Sequence, residues 1–246
     1  MAEFLLLDPS MLMNVLLIAI SGTLICIGVH FVPVGGAPAA MAQATGIGTG
    51  TVELAAGSGL VGLVTASYMY ANVPDASMAL VLAAGAMGSM ILIASAMLLG
   101  GLAYAYGVGV PFASAQVKRD PITGDTQEDY MSKGTQGHGI PTVSYVSGLI
   151  GAALGGTGGS LIYFVLIGLY SGVSSAVISS NAAAIAGMFA MGVYYVNAVI
   201  PSYGVGGTIE GFHDRKFKRV LPKDTLTSFI ISLIAGILAI LIAGGM

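Results

Sequence analysis

The chain has 246 residues, of which 56% are hydrophobic and only 8% are charged, and its mean hydropathy is +0.91. An ordinary soluble domain carries about 25% charged residues, so the composition excludes that class. The sequence predicts a multi-pass protein of the cell membrane, built as a single integral membrane domain over residues 1–246. Cys26 is the only cysteine and offers neither an internal disulfide nor a cysteine-based metal site. No extended basic patch is present, so we expect no binding to nucleic acid.

Six apolar windows are long enough to cross a bilayer, which takes roughly 20 helical residues. The sequence therefore predicts an all-α fold with about six transmembrane helices. The first and sixth windows are rich in Leu and Ile, and we expect them to face lipid. The middle four are rich in Gly, Ala and Ser, which favours close packing in the interior. The windows are residues 11–29, 52–70, 78–104, 143–170, 174–200 and 226–243.

All the cations lie in two loops, one after the third window and one after the fifth. Two crossings separate these loops, so both lie on the same side of the membrane, and the positive-inside rule assigns that side to the cytoplasm. The N-terminus and the C-terminus are then both predicted to lie outside. The cations are Lys118, Arg119, Lys133, Arg215, Lys216, Lys218, Arg219 and Lys223.

Residues 31–53 connect the first two windows and contain five glycines, two prolines and no charge before Glu53. The stretch is too broken by Gly and Pro for a good helix and too apolar for an ordinary solvated loop. Backbone of this kind at membrane depth must be buried in protein or line a cavity. The stretch therefore favours a hinge of a membrane protein, with a tight Gly-rich connection between two hairpinned helices as the alternative.

The fourth window is longer than a bilayer requires and carries GGTGGS near its centre, which is a weak helix sequence. A broken helix at this point would resemble the discontinuous helices of ion-coupled carriers. The alternative is that glycines spaced four apart, such as Gly151, Gly155 and Gly159, let helix backbones approach closely.

Glu53 is the only carboxylate inside the six windows. Ionisable groups at membrane depth usually face a cavity or a partner, which makes Glu53 a candidate for a cation site. Its alternative role is that of a solvated carboxylate at a helix N-terminus. Na⁺ prefers oxygen ligands, so we add Thr157 and Asn181 as candidates for a Na⁺ pathway. Hydroxyls that could also contribute, or could simply bond to neighbouring helices, belong to Ser160, Ser179 and Ser180.

Two further features sit beside the predicted cytoplasmic face. His30 ends the first predicted helix, where it either bonds the last carbonyls of that helix or takes part in a proton-linked or ligand contact. The loop 211–224 interleaves five cations with aromatic residues, which predicts an interfacial anchor to the lipid bilayer, or a dedicated binding site as the alternative. No nucleophile elbow, Walker A sequence or dinucleotide fingerprint occurs, so the sequence predicts no independent catalytic site.

The segment HFVPVGGAPAAMAQATGIGTGT, residues 30–51, resembles the MtrD family, which belongs to the tetrahydromethanopterin S-methyltransferase complex of methanogens. The likeness extends through GGTGGS and through PSYGVGGTIEGFHD, residues 201–214. It implies a complex that transfers a methyl group from methyl-tetrahydromethanopterin to coenzyme M through a corrinoid and couples this transfer to Na⁺ export.

The same resemblance implies that the chain is part of the membrane sector of such an enzyme. Its partners would be sister membrane subunits and a corrinoid-bearing subunit, and the chain itself would bind no corrinoid. A small, self-contained ion-coupled carrier fits the residues equally well. A third possibility is a purely structural membrane scaffold.

Overall fold

The computed structural model describes residues 8–32, 50–107, 119–122, 124, 131–132, 135–136, 142–205, 212 and 217–244. These residues form seven helices and one antiparallel pair of two-residue strands. The helices are α1 (Pro9–Phe31), α2 (Gly50–Asn72), α3 (Met78–Gly107), α4 (Thr142–Ser171), α5 (Ala176–Ser180), α6 (Ala182–Val205) and α7 (Phe217–Ala243). The strands are β1 (Met131–Ser132) and β2 (Thr135–Gln136).

A helix occupies each of the six predicted windows. Among the described residues, α1, α3, α4, α6 and α7 are long and apolar enough to cross a membrane. The prediction of an all-α, multi-pass membrane protein is confirmed. The count of six spans and the outside position of both termini stay predictions. Most of the stretch 31–53 lies outside the described residues, as does most of the loop between α3 and α4.

Helix α4 stands at the centre of the bundle and contacts α1, α2, α3 and α6. The expected break at GGTGGS is wrong, because α4 runs through it without interruption. Gly155 lies against Gly28 of α1, Gly156 lies against Ser89 of α3, and Gly158 lies against the backbone of α1. Such close contacts offset the low helix propensity of glycine, and unpaired backbone groups would be costly at membrane depth.

The break occurs instead in the fifth window, where Asn181 separates α5 from α6. The Asn181 amide donates to the carbonyl of Val177 at 2.9 Å, and the hydroxyls of Ser179 and Ser180 donate to the carbonyls of Ser175 and Val177. Side chains that bond the local backbone in this way compete with helix continuation. The run of polar residues therefore ends the short helix and starts a new one.

Helix α1 is rich in Leu and Ile, as expected of a lipid-facing helix, but it packs inside the bundle. It contacts α4 on one side and α7 on the other, and half of its apolar window is buried. Gly28 and Gly22 explain the difference, because each removes the Cβ that would hold a neighbouring helix away. The exposed Leu12, Leu16 and Ile20 leave only one face of α1 toward lipid.

One end of the bundle, which we name the basic end, carries the exposed cations among the described residues. There α1 ends, and α4 and α7 begin. The buried carboxylate of Asp120 accepts hydrogen bonds from the backbone N–H and the hydroxyl of Thr142 at 2.8 and 2.9 Å. It thereby fixes the first residue of α4 to the turn that precedes it. The exposed cations of the basic end are Arg119, Lys218, Arg219 and Lys223.

The crossing of α1 and α4 yields a first prediction. A Cβ on Gly151 would overlap the carbonyl oxygen of Gly28 and lie 3.0 Å from the Cβ of Phe31. We expect Gly151→Ala to force the two helices apart and to lower the free energy of unfolding by about 1–3 kcal/mol. The measurement is detergent-induced unfolding followed by circular dichroism.

Gly168→Ala on the same helix is the matched control, since a Cβ at Gly168 meets nothing within 4 Å. This change is expected to be neutral or to stabilise by up to about 1 kcal/mol, because alanine restricts the unfolded chain. Equal losses in the two variants would show that the close crossing does not matter.

Candidate functional site

Polar residues line the interface of the antiparallel helices α1 and α7 at intervals of four residues. His30 faces Asp224, the Cys26 thiol lies beside the Ser228 hydroxyl, and Gly22 approaches Ser232. Asn197 of α6 joins them from the side. All of these positions are buried. We name the set the polar ladder, which comprises Gly22, Cys26, His30, Asn197, Asp224, Ser228 and Ser232.

The outer rung of the polar ladder is the pair of His30 and Asp224 at the basic end. Nε2 of His30 lies 3.2 Å from Oδ2 of Asp224, and Nδ1 lies 2.8 Å from the carbonyl oxygen of Cys26. A carbonyl only accepts, so Nδ1 carries a hydrogen. Nε2 lies beside the carboxylate of Asp224, and the two side chains form an ion pair when the imidazole is protonated. His30 thus bonds a carbonyl of its own helix, but that of Cys26, which precedes the last carbonyls that the sequence suggested.

Three phenylalanine rings lie at the basic end, and one of them contacts the ring of His30. The Phe217 ring meets the rings of His30 and Phe31 edge to face, with centroids 6.1 and 4.9 Å apart. The Phe212 ring also contacts the ring of Phe31, with centroids 6.1 Å apart. The buried hydroxyl of Ser147 donates to the carbonyl of Phe31 at 2.6 Å and accepts from the N–H of Phe212 at 3.1 Å. The rings and this hydroxyl tie α1, α4 and the segment before α7 together.

The inner rung is centred on the amide of Asn197, which is fully buried. Its NH₂ group donates to the carbonyl of Val193 and to Oγ of Ser232, at 2.8 and 2.9 Å. Its Oδ1 lies in short contact with Oγ of Ser228 and 3.3 Å from Oγ of Ser232. Oγ of Ser228 is also 3.0 Å from the carbonyl oxygen of Gly22. Oxygen atoms from three helices thus meet at one point.

Beyond Asn197 the interface becomes apolar. Val15, Ile18 and Ile240 are buried there, and Gly236 lies against the backbone of Val15. From His30 to Gly22 the ladder extends about 12 Å along α1, given the rise of an α-helix. It therefore runs from the basic end into the interior and stops. A cleft of about 270 Å³ between α6 and α7 reaches Asn197 from the side, and its lining is otherwise Phe189, Gly192, Val193, Val196, Ile231 and Ala235.

The structure separates the residues that the sequence put forward for a Na⁺ pathway. Glu53 lies in the first turn of α2, and its side chain is outside the described part of the structure. The half-buried Thr157 donates to the carbonyl of Ala153 at 2.8 Å. Asn181 is exposed beyond the end of α4, which lies about 21 Å from Thr157 along the helix. Thr157 and Asn181 are therefore not brought together.

The remaining hydroxyls that the sequence put forward bond to backbone carbonyls three or four residues earlier in the chain. Ser160 donates to the carbonyl of Gly156, Ser179 to that of Ser175, and Ser180 to that of Val177. The part of the chain that the structure describes holds no group of three His, Cys, Asp or Glu residues suited to a metal ion. The polar ladder, with its one carboxylate, is the charged site that the described helices enclose.

Asp224 is the residue that the sequence alone did not bring forward. It lies in the run KRVLPKD, which the hydropathy pattern assigns to a loop, but α7 begins at Phe217 and carries Asp224 on its buried face. The sequence spacing of the polar residues did indicate this interface. Asp224, Ser228 and Ser232 are four residues apart, and so are Gly22, Cys26 and His30, which places each set along one helix face.

The helices, their apolar faces and the buried polar ladder define a multi-pass α-helical membrane protein. A family model for MtrD, the D subunit of tetrahydromethanopterin S-methyltransferase, matches residues 11–232. Because the match covers most of the sequence, the chain belongs to the MtrD family.

Relatives that bear the name of this subunit are similar over nearly their whole length. The one from Methanosarcina barkeri is 58% identical, over 91% of each chain. The one from Methanothermobacter thermautotrophicus is 52% identical, over 97% of this chain and 99% of the relative. The one from Methanocaldococcus jannaschii is 51% identical, over 90% of this chain and 93% of the relative. The family that the sequence resembled is thereby confirmed.

The ion pair yields a second prediction. Removal of one partner leaves the other charge buried, which costs about 3–5 kcal/mol of stability. We expect His30→Gln and Asp224→Asn each to destabilise strongly, and the double variant to lose roughly 1–3 kcal/mol less than the sum of the two. A double-mutant cycle on detergent-induced unfolding measures this coupling. Additive losses would contradict a direct interaction between the two side chains.

Proposed function

We propose that this chain is a subunit of the membrane sector of a tetrahydromethanopterin S-methyltransferase and contributes to the translocation of Na⁺ that accompanies methyl transfer. Its partners are sister membrane subunits and a subunit that carries the corrinoid. The membership of the family supports the methyltransferase role. The methyl transfer itself belongs to the partner subunits, and this chain supplies part of the membrane path.

The observation that carries the proposal is the polar ladder. An ionisable pair inside a membrane bundle usually marks a pathway for ions or protons. Here the pair stands where the ladder meets the basic end, which the positive-inside rule places in the cytoplasm. The ladder then leads inward to the oxygens around Asn197. A path of this shape admits a cation from the cytoplasmic side and holds it inside the bundle.

Glu53, Thr157 and Asn181 stay candidates for other positions on a Na⁺ pathway. Because Thr157 and Asn181 lie far apart, they would act at separate points along the path and not as ligands of one ion. We also propose that residues 1–246 form a single integral membrane domain, since α4 contacts α1, α2 and α3 as well as α6.

The test is transport by the purified complex. The complex is isolated through a tag on this chain under mild solubilisation, its subunits are identified, and it is reconstituted into liposomes. The Na⁺ moved per methyl group transferred is then measured. We expect Asp224→Asn to abolish most of the Na⁺ movement, because the ladder loses its one carboxylate. Glu53→Gln, Thr157→Val and Asn181→Ala are tested in the same way.

Ser89→Ala serves as the matched control. Ser89 is as fully buried as Ser228, and its hydroxyl donates to a carbonyl of another helix, that of Ser58, at 2.8 Å. It lies outside the polar ladder, so its loss should leave Na⁺ movement unchanged. Na⁺ transport by the chain alone would favour the self-contained carrier. Unchanged coupling in all four variants would favour the structural scaffold.

A further inference from the structure

We propose that the cleft between α6 and α7 binds one anionic membrane lipid from the leaflet at the basic end. A hydrocarbon chain of the lipid lies in the cleft, and the headgroup lies beside Arg219 and Lys223. This inference goes beyond the proposed function and does not depend on it. It concerns the face that α6 and α7 turn toward the bilayer, and it assigns no role in ion movement to that face.

The cleft has the volume and the opening of a site for hydrocarbon. Its volume is about 270 Å³. A dry apolar cavity of about 150 Å³ holds one benzene molecule, so this cleft holds roughly ten carbon atoms of a chain. Val196 in its lining is exposed, and so is Ile234 on the same side of α7. The cleft therefore opens on the surface that meets lipid.

The single polar side chain that reaches the cleft has no hydrogen left to donate. The NH₂ group of Asn197 gives one hydrogen to the carbonyl of Val193 and the other to Oγ of Ser232. The rest of the lining is apolar. Water or an ion placed in the cleft would lose hydrogen bonds that the lining cannot replace. The lining therefore favours an apolar chain.

Gly192 provides much of the room in the cleft. An added Cβ at Gly192 would meet no atom within 4 Å. At the close helix crossings of the bundle, glycines such as Gly151 and Gly155 lie directly against a neighbouring helix. Packing within this chain therefore does not account for the space above Gly192. Its walls gain dispersion contacts only if an apolar group from outside the chain fills it.

One row of side chains on α7 connects the cleft with the cations of the basic end. Arg219, Lys223, Thr227, Ile231 and Ala235 are four residues apart, so they follow one inclined row along the helix. The last two line the cleft, whereas the first three are exposed. A lipid that lies along this row meets positive charge at its polar end and the cleft at its apolar end.

The depths along α7 match the dimensions of one leaflet. The apolar run of the helix begins at Leu226, which places Lys223 at the level of the headgroups. Ile231 and Ala235 lie about 12 and 18 Å further along the helix, and one leaflet supplies about 15 Å of hydrocarbon. Within the described part of the chain, neither Arg219 nor Lys223 pairs with a carboxylate. Both are available to an anionic phosphate, and this charge complementarity favours an anionic lipid as the occupant.

Photo-crosslinking in the purified complex tests the site. The complex is reconstituted into phosphatidylcholine vesicles that contain a minor fraction of a phosphatidylglycerol with a diazirine midway along one chain. Labelled residues are identified by peptide mass spectrometry after illumination. We expect adducts on the residues of α6 and α7 that line the cleft. Unlabelled phosphatidylglycerol should compete for them about ten times better than phosphatidylcholine with the same chains.

Two glycine variants test the position of the chain. Gly192→Leu fills the cleft and should lower the yield of cleft adducts roughly tenfold, because the lipid chain loses its contacts there. Gly187→Leu on the same helix is the matched control. An added Cβ at Gly187 also meets nothing within 4 Å, but Gly187 does not line the cleft. This control should leave the yield unchanged.

Two lysine variants test the position of the headgroup. Lys223→Gln should lower the preference for phosphatidylglycerol over phosphatidylcholine about fivefold. Lys218→Gln is the matched control, because Lys218 is also an exposed lysine near the start of α7 but lies outside the row that leads to the cleft. It should leave the preference unchanged. Since Lys223 is exposed, its variant tests the site even if Gly192→Leu disturbs the fold.

Three results would overturn the lipid site. The first is equal competition by the two lipids, and the second is an equal loss of adducts in Gly192→Leu and Gly187→Leu. The third is a cleft that stays unlabelled while the exposed Leu12 and Leu16 of α1 are labelled. That result would indicate that a helix of another subunit covers the cleft. The Na⁺ moved per methyl group is measured separately, so the proposed function stands or fails independently of these outcomes.

Discussion

The close approach of helix backbones is the constraint on which the whole bundle depends. In a bilayer, apolar helices gain little by contacting each other in place of lipid, so packing of small residues must hold them together. Gly28 of α1 meets Gly151 and Gly155 of α4, and Gly22 lets α7 approach α1. These contacts place α1 in the interior between α4 and α7. Only in that position can His30 and Asp224 face each other inside the bundle.

A charged pair is not needed for such packing, as the interface of α3 and α4 shows. There Gly85 lies against Ser160 and Ser89 lies against Gly156, again at intervals of four residues, and each of these side chains is neutral. Ser89 also exchanges hydrogen bonds with Ser58 of α2 through their hydroxyls and carbonyls. The interface of α1 and α7 uses the same spacing but also carries a buried pair of ionisable side chains, His30 and Asp224, at its basic end.

The positions of the helices could be predicted from the sequence, because the length of an apolar run is fixed by the thickness of the bilayer. The helix boundaries that fall at charged residues could not be predicted in this way. Hydropathy measures how readily residues transfer from water into hydrocarbon. The charged run before Leu226 was therefore left out of the sixth window, although α7 already begins at Phe217. Glu53 stood out because it lies inside an apolar window, whereas Asp224 was hidden among cations and beside Pro222. Partners on distant segments, such as His30 and Asp224, are set by tertiary packing that a single sequence does not display.

The energetics of the ion pair favour a functional origin over a structural one. Two charges removed from water lose hydration free energy, and their mutual attraction barely offsets this loss. Well-packed apolar residues at the same positions often stabilise the fold as much or more. The neutral interface of α3 and α4 shows that this bundle can build such an apolar or weakly polar contact. The cost of burying His30 and Asp224 therefore favours a part in the proposed membrane path over a part in packing alone.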